Sequence, residues 1–385
     1  MPANVFTTIL PNLTTAFQRV AQERAPLPAI AQTDFRQEEA AVNQVVTIPI
    51  APAVAGRNRT EEFAVTDAAA RTVTSRSIAI TKDREYPFAL TGDDFIRMQQ
   101  NPEYIPLSVT QALRQWRNEV HGDLADLHVG AAGYYSTLTP SSGAALGTAG
   151  TTPFASDISA IVQAEKLLND SLAPLDGRYL MIDTAAKQNL GLLGQLTKQN
   201  EAGTADLLRR GIVGQLAGFN VVWGNDVRSG ATIAGSGYLV NGTPAAGATS
   251  IPVDTGTGAI PAGTVVAFAG DAVNRYVVAT AYAGGAGNIT LTSGLVNAIA
   301  DNSALTLSAG RRNMAFHREA LGLAIRLPRL PDGGDMGDHQ VITDPETGIQ
   351  VRMSVYKGKG LNLYAISSAW GVQVVRPELL KLILG

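Results

Sequence analysis

The sequence predicts an α+β protein into which a small antiparallel β-barrel is inserted. Three observations predict this class: a long amphipathic helix follows a strand-rich segment, a strand then alternates with helices, and residues 228–310 change to short β segments with almost no charge. With 385 residues, the chain is long enough for two or three folded units. Its 45% of hydrophobic residues indicates that most of it folds.

Composition argues against several classes of function. The absence of cysteine rules out disulfides, thiolate metal sites and cysteine nucleophiles. A net charge of −3 argues against sequence-independent binding of nucleic acid, which needs clustered Lys and Arg. No apolar run reaches the roughly 20 residues that span a bilayer, and the opening Met1-Pro2-Ala3-Asn4 is unlike a signal peptide. We therefore expect no membrane partner and a cytoplasmic product.

The first 90 residues are predicted to form an arm and a projecting hairpin. Residues 5–25 have helical spacing and end at the Pro26-Leu27-Pro28 run. Two extended segments then flank a polar tip, as in a β-hairpin. In a chain with only 16% charged residues, this tip carries both signs of charge, on Arg57, Arg59, Glu61 and Glu62.

Residues 107–133 contain the clearest helix in the sequence. Its apolar side chains recur three and four positions apart, and charged residues occupy the opposite face. The stripe includes Leu113, Trp116 and Val120, which we expect in the core. His121 and His128 lie seven positions apart on the same helix. No third metal ligand has suitable spacing, so we expect polar residues on the helix surface, with a metal site as the alternative.

An α/β unit is predicted next. Residues 138–153 are rich in Ser, Thr, Gly and Ala and mark a boundary. Ser156 is expected to cap a helix that runs towards Pro174. A buried strand at 178–183 and a helix at 184–196 should follow. Glycines then punctuate short strands at 211–221, where Gly218 and Phe219 are candidate core residues.

The uncharged segment 228–310 contains six candidate strands separated by turn signals. They are residues 238–240, 249–253, 264–268, 276–281, 289–292 and 305–307. We expect an autonomous small barrel or sandwich. Residues 314–327 are predicted to be a helix, followed by a strand-rich tail in which the earlier domain resumes.

No convincing catalytic constellation is visible. The chain has neither a phosphate-binding glycine motif nor a nucleophile elbow. The segment Asp332-Gly333-Gly334-Asp335-Met336-Gly337-Asp338-His339 resembles a cation loop but lacks the alternating carboxylates and closing Glu of an EF-hand. We expect an acidic surface loop, with a calcium site near Asp332 to Asp338 as the alternative. We also expect no cofactor and no enzymatic activity.

Three stretches of the second half carry a resemblance to a known family. One runs from Val341 through the turn Asp344-Pro345-Glu346-Thr347-Gly348 to Trp370-Gly371-Val372 and Arg376-Pro377-Glu378. The others are residues 208–221 and 315–324. Together they resemble, in the same order, the coat proteins of podovirus-like phages infecting enteric bacteria, which are major capsid proteins of tailed double-stranded DNA bacteriophages.

The resemblance implies the Hong Kong 97-type capsid fold, with an insertion domain. The implied units are an N-terminal arm at 1–35, an extended β-hairpin loop at 36–90, a peripheral domain at 91–153 with a spine helix at about 107–133, an axial α/β domain at 154–227, the inserted β-barrel at 228–310, and a return to the axial and peripheral domains at 311–385. Pro377 is expected to end the last strand and to lie in the core.

The same resemblance implies a function. The protein would assemble with itself, as hexamers and pentamers, into an icosahedral shell around the phage genome. Its implied partners are a scaffolding protein, a portal, packaged double-stranded DNA through non-specific proximity, and a decoration protein. It would assemble in the host bacterial cytoplasm and reside in the virion. We then expect Arg57, Arg59, Glu61 and Glu62 to contact complementary charges of a neighbouring subunit, where charge sets register and encounter.

Two alternatives to the capsid function remain open. One is an encapsulin-like shell protein of a nanocompartment that packages enzymes. The other is a β-rich phage adhesin or tail-fibre module, which the Gly- and Thr-rich segment 228–310 suggests. The adhesin alternative does not account for the long helix or for the C-terminal blocks.

Overall fold

The computed structural model describes most of the chain from Leu27 onwards. The described residues are 27–40, 43–50, 74–101, 107–128, 153–154, 157–197, 214–224, 227, 233–292, 294–308, 312–332, 334–343, 349–358 and 360–384. Several predicted features lie outside them: the helix at 5–25, the charged tip with Arg57, Arg59, Glu61 and Glu62, the Ser156 cap and the turn at 344–348.

The described residues form a mixed α+β fold with extensive sheets. The helices are α1 (Leu27–Ile30), α2 (Gly92–Gln100), α3 (Leu107–Asp126), α4 (Ser159–Asp170), α5 (Thr184–Leu192) and α6 (Gly194–Thr197). None of these helices is long and apolar enough to cross a membrane.

The strands of the two main sheets and the hairpin are β1 (Gln32–Ala40), β2 (Val45–Ile50), β3 (Thr74–Ala79), β4 (Lys82–Thr91), β5 (Arg178–Ile182), β6 (Gln215–Leu216), β7 (Phe219–Trp223), β14 (Arg312–His317), β15 (Leu321–Pro328), β16 (Asp338–Thr343), β17 (Gln350–Lys357), β18 (Leu361–Val374) and β19 (Leu380–Leu384). Between β7 and β14 lie β8 (Leu239–Val240), β9 (Ser250–Asp254), β10 (Val265–Phe268), β11 (Asp271–Val277), β12 (Gly287–Thr290) and β13 (Leu305–Ser308).

The larger sheet is organised around the 14-residue strand β18. Its order is β1-β15-β18-β17-β16, and β4 pairs with the other edge of β18. All pairings are antiparallel except the parallel pair β1 and β15. Helix α3 packs on β4 and β18. Because both faces are covered along much of the sheet, β15 and β17 are buried at nearly every position.

The second sheet has the order β19-β14-β5-β7-β6. The buried side chain of Asn313 joins three of its segments: its Oδ1 accepts the Asp183 N–H at 2.8 Å, and its Nδ2 donates to the Ile383 carbonyl at 3.3 Å. Asp183 in turn accepts the Ala185 N–H and caps α5. The predicted strand at 178–183 is thus confirmed. The predicted helix at 184–196 is divided at Leu193 into α5 and α6.

The helix predicted at 314–327 is wrong. These residues form β14 and β15, joined by a 3₁₀ turn at Arg318–Ala320. Most residues of the segment are apolar, and such a run is compatible with either a buried helix or a buried strand. Here the segment is extended because β14 pairs with β19 and β5, and β15 pairs with β1 and β18.

Both histidines of the long helix were misplaced by the prediction. His121 is fully buried and His128 is 9% exposed; His128 Nδ1 lies 3.0 Å from the Ala125 carbonyl oxygen. Helix α3 is buried on one stripe in its first half, as predicted, but its last turns are covered on more sides. There Val120, His121, Gly122, Leu124 and Ala125 are all buried. The apolar stripe therefore predicted the helix, but not the burial of the other side of its last turns.

Two other expected core residues lie elsewhere. Gly218 is exposed in the β6–β7 turn, where φ is +74°, a conformation that favours glycine. Its neighbour Phe219 is fully buried. Pro377 is half-buried and starts a 3₁₀ turn at Pro377–Leu379. It does not end the last strand, because β19 follows and pairs with β14.

Six strands, β8 to β13, lie between 228 and 310. Five agree with the predicted strands to within two residues, but the prediction at 276–281 is displaced, because β11 spans Asp271–Val277. The six strands form two three-stranded sheets, β11-β10-β13 and β12-β9-β8, which isolated bridges such as Val278 to Leu291 connect. Tyr238, Phe268 and Tyr276 lie in their own apolar core. The Asp271 carboxylate is buried and accepts hydrogen bonds from Tyr276 and from Asn274, each at 2.6 Å.

We expect a fragment spanning residues 226–312 to fold alone, because its strands supply their own core and turns. Its stability should be low, since Val265 and Val277 belong to the main core, which the fragment lacks. A fragment of this size also buries only about 60% of its unfolded surface. Amide dispersion in an NMR spectrum checks this. A collapsed spectrum would show that the segment depends on the rest of the chain.

Lys381 should make the stability of the protein depend on alkaline pH. Desolvation in β19 lowers the pKa of Lys381 from 10.5 to about 8, although Glu378 and Asp170 partly oppose the shift. Protonation is thus less favourable in the folded than in the unfolded chain. Below pH 8 the buried charge therefore lowers the free energy of unfolding by on the order of 3 kcal/mol. This loss of stability decreases as pH rises above 8 and is absent above about pH 10.5.

The variant Lys381→Met should therefore be more stable than the unmodified protein at pH 7, and this advantage should shrink between pH 8 and 10.5. Urea unfolding of both proteins across that range measures the difference. A difference that does not change with pH would show that Lys381 is not desolvated as described.

Candidate functional site at the base of the hairpin

The hairpin formed by β2 and β3 is a two-stranded ribbon whose base crosses the larger sheet. Its predicted pairing is confirmed, with an antiparallel register from Val45 and Ala79 to Ile50 and Thr74. Within the described residues, neither strand pairs with a third strand. At the base, the Thr81 N–H donates to the Trp370 carbonyl at 3.2 Å. The ribbon is therefore attached at one end and leads into the segment 51–73.

Close backbone approach fixes the ribbon to the sheet. A Cβ atom at Gly371 would lie 2.0 Å from the Ala79 carbonyl oxygen, so only glycine fits there. A Cβ atom at Gly322 would lie 2.8 Å from the Ile78 side chain. Ile78 packs with Ala324, and Ile80 packs with Ala369. Small residues on β15 and β18 thus make room for the two buried isoleucines. We call Gly322, Ala324, Ala369 and Gly371 the seat.

The opposite face of the same strands carries helix α3. Trp116 Nε1 donates to Ser368 Oγ at 2.9 Å, and Trp370 Nε1 donates to Asp123 Oδ2 at 2.8 Å. Trp116 is 4% exposed and Trp370 is fully buried. Since adjacent residues of a strand point to opposite faces, Trp370 contacts the helix while Gly371 contacts the hairpin. One dipeptide of β18 therefore positions both elements.

A charged network joins α3 to β4. Lys82 Nζ lies 2.8 Å from Asp123 Oδ1 and 3.3 Å from Glu119 Oε1. Arg84 Nε lies 3.1 Å from Glu119 Oε1, and the Tyr86 hydroxyl donates to Glu119 Oε2 at 2.6 Å. These ion pairs are partly exposed, so each contributes little stability alone. Their effect is to fix the strand that continues into the hairpin against the helix.

The protonation of this network follows from its contacts. Burial alone would raise the pKa of Glu119, but hydrogen bonds from Tyr86 and Lys82 and the charges of Lys82 and Arg84 lower it overall. Burial also opposes the charge of Lys82, yet its carboxylate partners raise its pKa. Burial and the hydrogen bond to Glu119 raise the pKa of Tyr86. Near neutral pH the network therefore holds Lys82 and Glu119 in their charged forms.

In the loop at 332–339, for which a cation site is the alternative, the Asp335 carboxylate has partners within the chain. The Asp335 oxygens accept from Tyr356 at 2.7 Å and from the Gly337 N–H at 2.8 Å, and one lies 2.5 Å from His339 Nε2. The hydrogen bond from Tyr356 is the largest of the contacts that lower the pKa of Asp335 to about 2.

The other carboxylates of this loop also have partners. Asp332 pairs with Arg329 and Asp338 pairs with Lys357. No group of three metal-ligating side chains occurs among the described residues. This geometry favours the acidic surface loop over the cation alternative.

The predicted residues of α3 and those of the hairpin tip differ in where they lie. Leu113, Trp116 and Val120 are 3%, 4% and 1% exposed on the inner stripe of α3. Arg57, Arg59, Glu61 and Glu62 lie outside the described residues. Sequence reasoning missed the seat of small residues and the Lys82 network. The signal for the seat is the alternation of Gly322 with Ala324 and of Ala369 with Gly371 in strands that otherwise carry large apolar residues.

Comparisons with known proteins give similarity at the level of structure. No protein-family model and no curated protein sequence matches the chain. A structure of the capsid of cyanophage P-SCSP1u is 11% identical, with a TM-score of 0.45, covering 92% of this chain and 86% of that one. A chain from Mycobacterium phage Che8 is 15% identical, with a TM-score of 0.40 and coverages of 89% and 84%.

The virus-like particle of Pyrococcus furiosus is 10% identical, with a TM-score of 0.41, covering 97% of this chain and 98% of that one. These solved structures thus include a phage capsid and a virus-like particle. Scores of this size do not assign a function, which has to be argued from residues of this chain.

Proposed function

We propose that this chain is the major capsid protein of a tailed double-stranded DNA bacteriophage, which assembles with itself into an icosahedral shell. In this proposal the chain has the Hong Kong 97-type fold, α3 is the spine helix, the β2–β3 ribbon is the extended loop, and β8 to β13 form the insertion domain. Its role is structural, with no catalytic activity and no cofactor.

The hairpin ribbon is the observation that carries the proposal. A two-stranded ribbon is at best marginally stable alone in water, and its unpaired edges invite contact with another chain. The base of this ribbon is nevertheless held on both faces of the sheet. Gly371, Ile78 and Ile80 form the contacts on one face, and the Lys82 network forms those on the other. A ribbon that is fixed at its base and pairs with no third strand among the described residues is suited to binding a neighbouring subunit.

The position of the family-like blocks supports the same proposal. The block from Val341 to Glu378 builds β16, β17 and β18, the centre of the larger sheet. Residues 315–324 connect the two sheets through β14 and β15. The resemblance therefore lies in the residues that organise the fold and seat the hairpin, and not in peripheral loops.

The proposal includes partners and location. The shell would be built from hexamers and pentamers in the host bacterial cytoplasm, with a scaffolding protein and a portal, and a decoration protein could bind outside. Packaged DNA would contact the shell through non-specific proximity only. This fits a chain with a net charge of −3, because tight binding to phosphates needs clustered positive charge.

Particle composition tests the proposal against the nanocompartment alternative. Particles purified from cells infected by the parent virus would be analysed for sedimentation, nucleic acid and protein content. We expect this chain to be the most abundant protein of a DNA-filled particle. Empty shells that carry a cargo enzyme would favour the nanocompartment, and recovery of the chain in tail fibres would favour the adhesin alternative.

A further inference from the structure

The sequence contains a single Asn-Gly dipeptide, Asn241-Gly242, directly after β8. Gly242 has a φ of +90°, a conformation that favours glycine, so the turn itself requires this residue. Asn-Gly is also the dipeptide most prone to deamidation, because glycine has no side chain to shield its nitrogen from the asparagine amide. Asn241 is exposed. The turn therefore combines a structural need for glycine with a chemical weakness.

Deamidation begins at the backbone nitrogen of Gly242. This nitrogen loses its proton and forms a bond to Cγ of Asn241, while the bond from Cγ to the side-chain nitrogen breaks. The released NH₂ group takes up a proton and leaves as ammonia. Water then opens the succinimide ring to aspartate or isoaspartate. The rate depends on how easily the Gly242 N–H loses its proton and how freely the nitrogen approaches Cγ.

Asp301 acts on both of these requirements. The Gly242 N–H donates to Asp301 Oδ1 at 2.6 Å. Asp301 Oδ2 accepts from Asn302 Nδ2 at 3.1 Å, which orients the carboxylate. A negatively charged acceptor stabilises the N–H in its protonated form and raises the energy of an amide anion beside it. The nitrogen is also held towards Asp301, so it cannot approach Cγ of Asn241 until this hydrogen bond breaks.

The product of deamidation would disturb the same region. Val240 exchanges backbone hydrogen bonds with Asn302 and Ser303, at 2.8 and 2.9 Å. An isoaspartate at position 241 would lengthen the backbone next to these bonds by one methylene group. Either product would also add a second carboxylate near Asp301, and like charges repel. Modification of Asn241 would therefore weaken the contact between β8 and the segment that precedes β13.

We propose that Asn241 is a deamidation site, and that Asp301 restrains the reaction as long as the unit containing β8 to β13 is folded. The carboxylate allows the turn to keep the glycine that its backbone requires without rapid loss of the neighbouring amide. The proposal is independent of the proposed function, because it concerns the folded chain by itself.

Mass spectrometry of the full-length protein, incubated at neutral pH and sampled over time, tests this proposal. Trypsin releases residues 229–275, which contain the dipeptide. Asp301→Ala should deamidate at Asn241 about tenfold faster than the unmodified protein, as expected for loss of a hydrogen bond to a charged group. The unmodified protein unfolded in urea should also react faster than the folded protein.

Two further variants separate the hydrogen bond from general effects. Asp332→Ala removes an acid whose side chain is 94% exposed elsewhere, and its rate should equal that of the unmodified protein. Asp301→Asn keeps an oxygen acceptor for Gly242 without the charge, so it should remain folded and react at an intermediate rate. Equal rates for Asp301→Ala and the unmodified protein would overturn the proposal. Acceleration confined to variants whose circular dichroism shows unfolding would overturn it as well.

Discussion

Replacement of Trp116 by alanine is expected to lower the free energy of unfolding by about 3–5 kcal/mol, the usual cost of truncating a large buried aromatic residue. Trp116 is 4% exposed in the main core. Its loss would leave a cavity between α3 and the sheet and would remove the donor to Ser368 Oγ, which is 2.9 Å away and fully buried. Urea unfolding of the monomer measures the change.

A conservative variant separates packing from the hydrogen bond. Trp116→Phe retains most of the aromatic volume and removes only the indole N–H, so it should cost less than Trp116→Ala, with about 1–3 kcal/mol from the unsatisfied Ser368. A shift below about 1 kcal/mol for the alanine variant would mean that α3 is not packed on the sheet through this residue.

The second large effect is expected for Gly371→Ala. The new methyl group would lie 2.0 Å from the Ala79 carbonyl oxygen and 2.8 Å from the carbonyl carbon. A backbone group cannot rotate away as a side chain can, so the hairpin base has to move. Overpacking of this kind costs about 1–3 kcal/mol and occasionally more. Tryptic cleavage at the exposed Arg76 of β3 should also become faster, because the ribbon loses its seat.

Gly191→Ala is the matched control for this change. Gly191 lies in α5, and a methyl group added there would have no neighbouring atom within 4 Å. Alanine is favoured over glycine in helices by about 0.5–1 kcal/mol. This variant should be neutral or more stable, with unchanged cleavage at Arg76. If Gly371→Ala behaved in the same way, the close approach of β3 and β18 would be incorrect.

The parts of the fold that sequence could predict are those with a strong local signal. The three- and four-residue spacing around Trp116 predicted α3, and two extended segments around polar residues predicted the hairpin. Five of the six strands between 228 and 310 were identifiable because glycines and turn residues separate short apolar runs. In each case a period or a turn encodes the element within its own residues.

The parts that failed depend on distant residues. The run at 314–327 has no clear period, because its strands are buried on both faces, and only pairing with β19 and β18 distinguishes strand from helix. His121 is buried by packing around the end of α3, which its own helix does not specify. The seat at Gly371 joins residues almost 300 positions apart. The small residues of β15 and β18 are visible in the sequence, but no local pattern indicates that Ala79 lies against them.

Electron microscopy of the assembled protein tests the central claim most directly. The chain would be expressed with its scaffolding protein, and the fraction that sediments as large particles would be imaged by negative stain. The account predicts closed icosahedral shells of uniform diameter, built from this chain. Only monomers, small oligomers or fibres, from protein that is folded by circular dichroism, would contradict it.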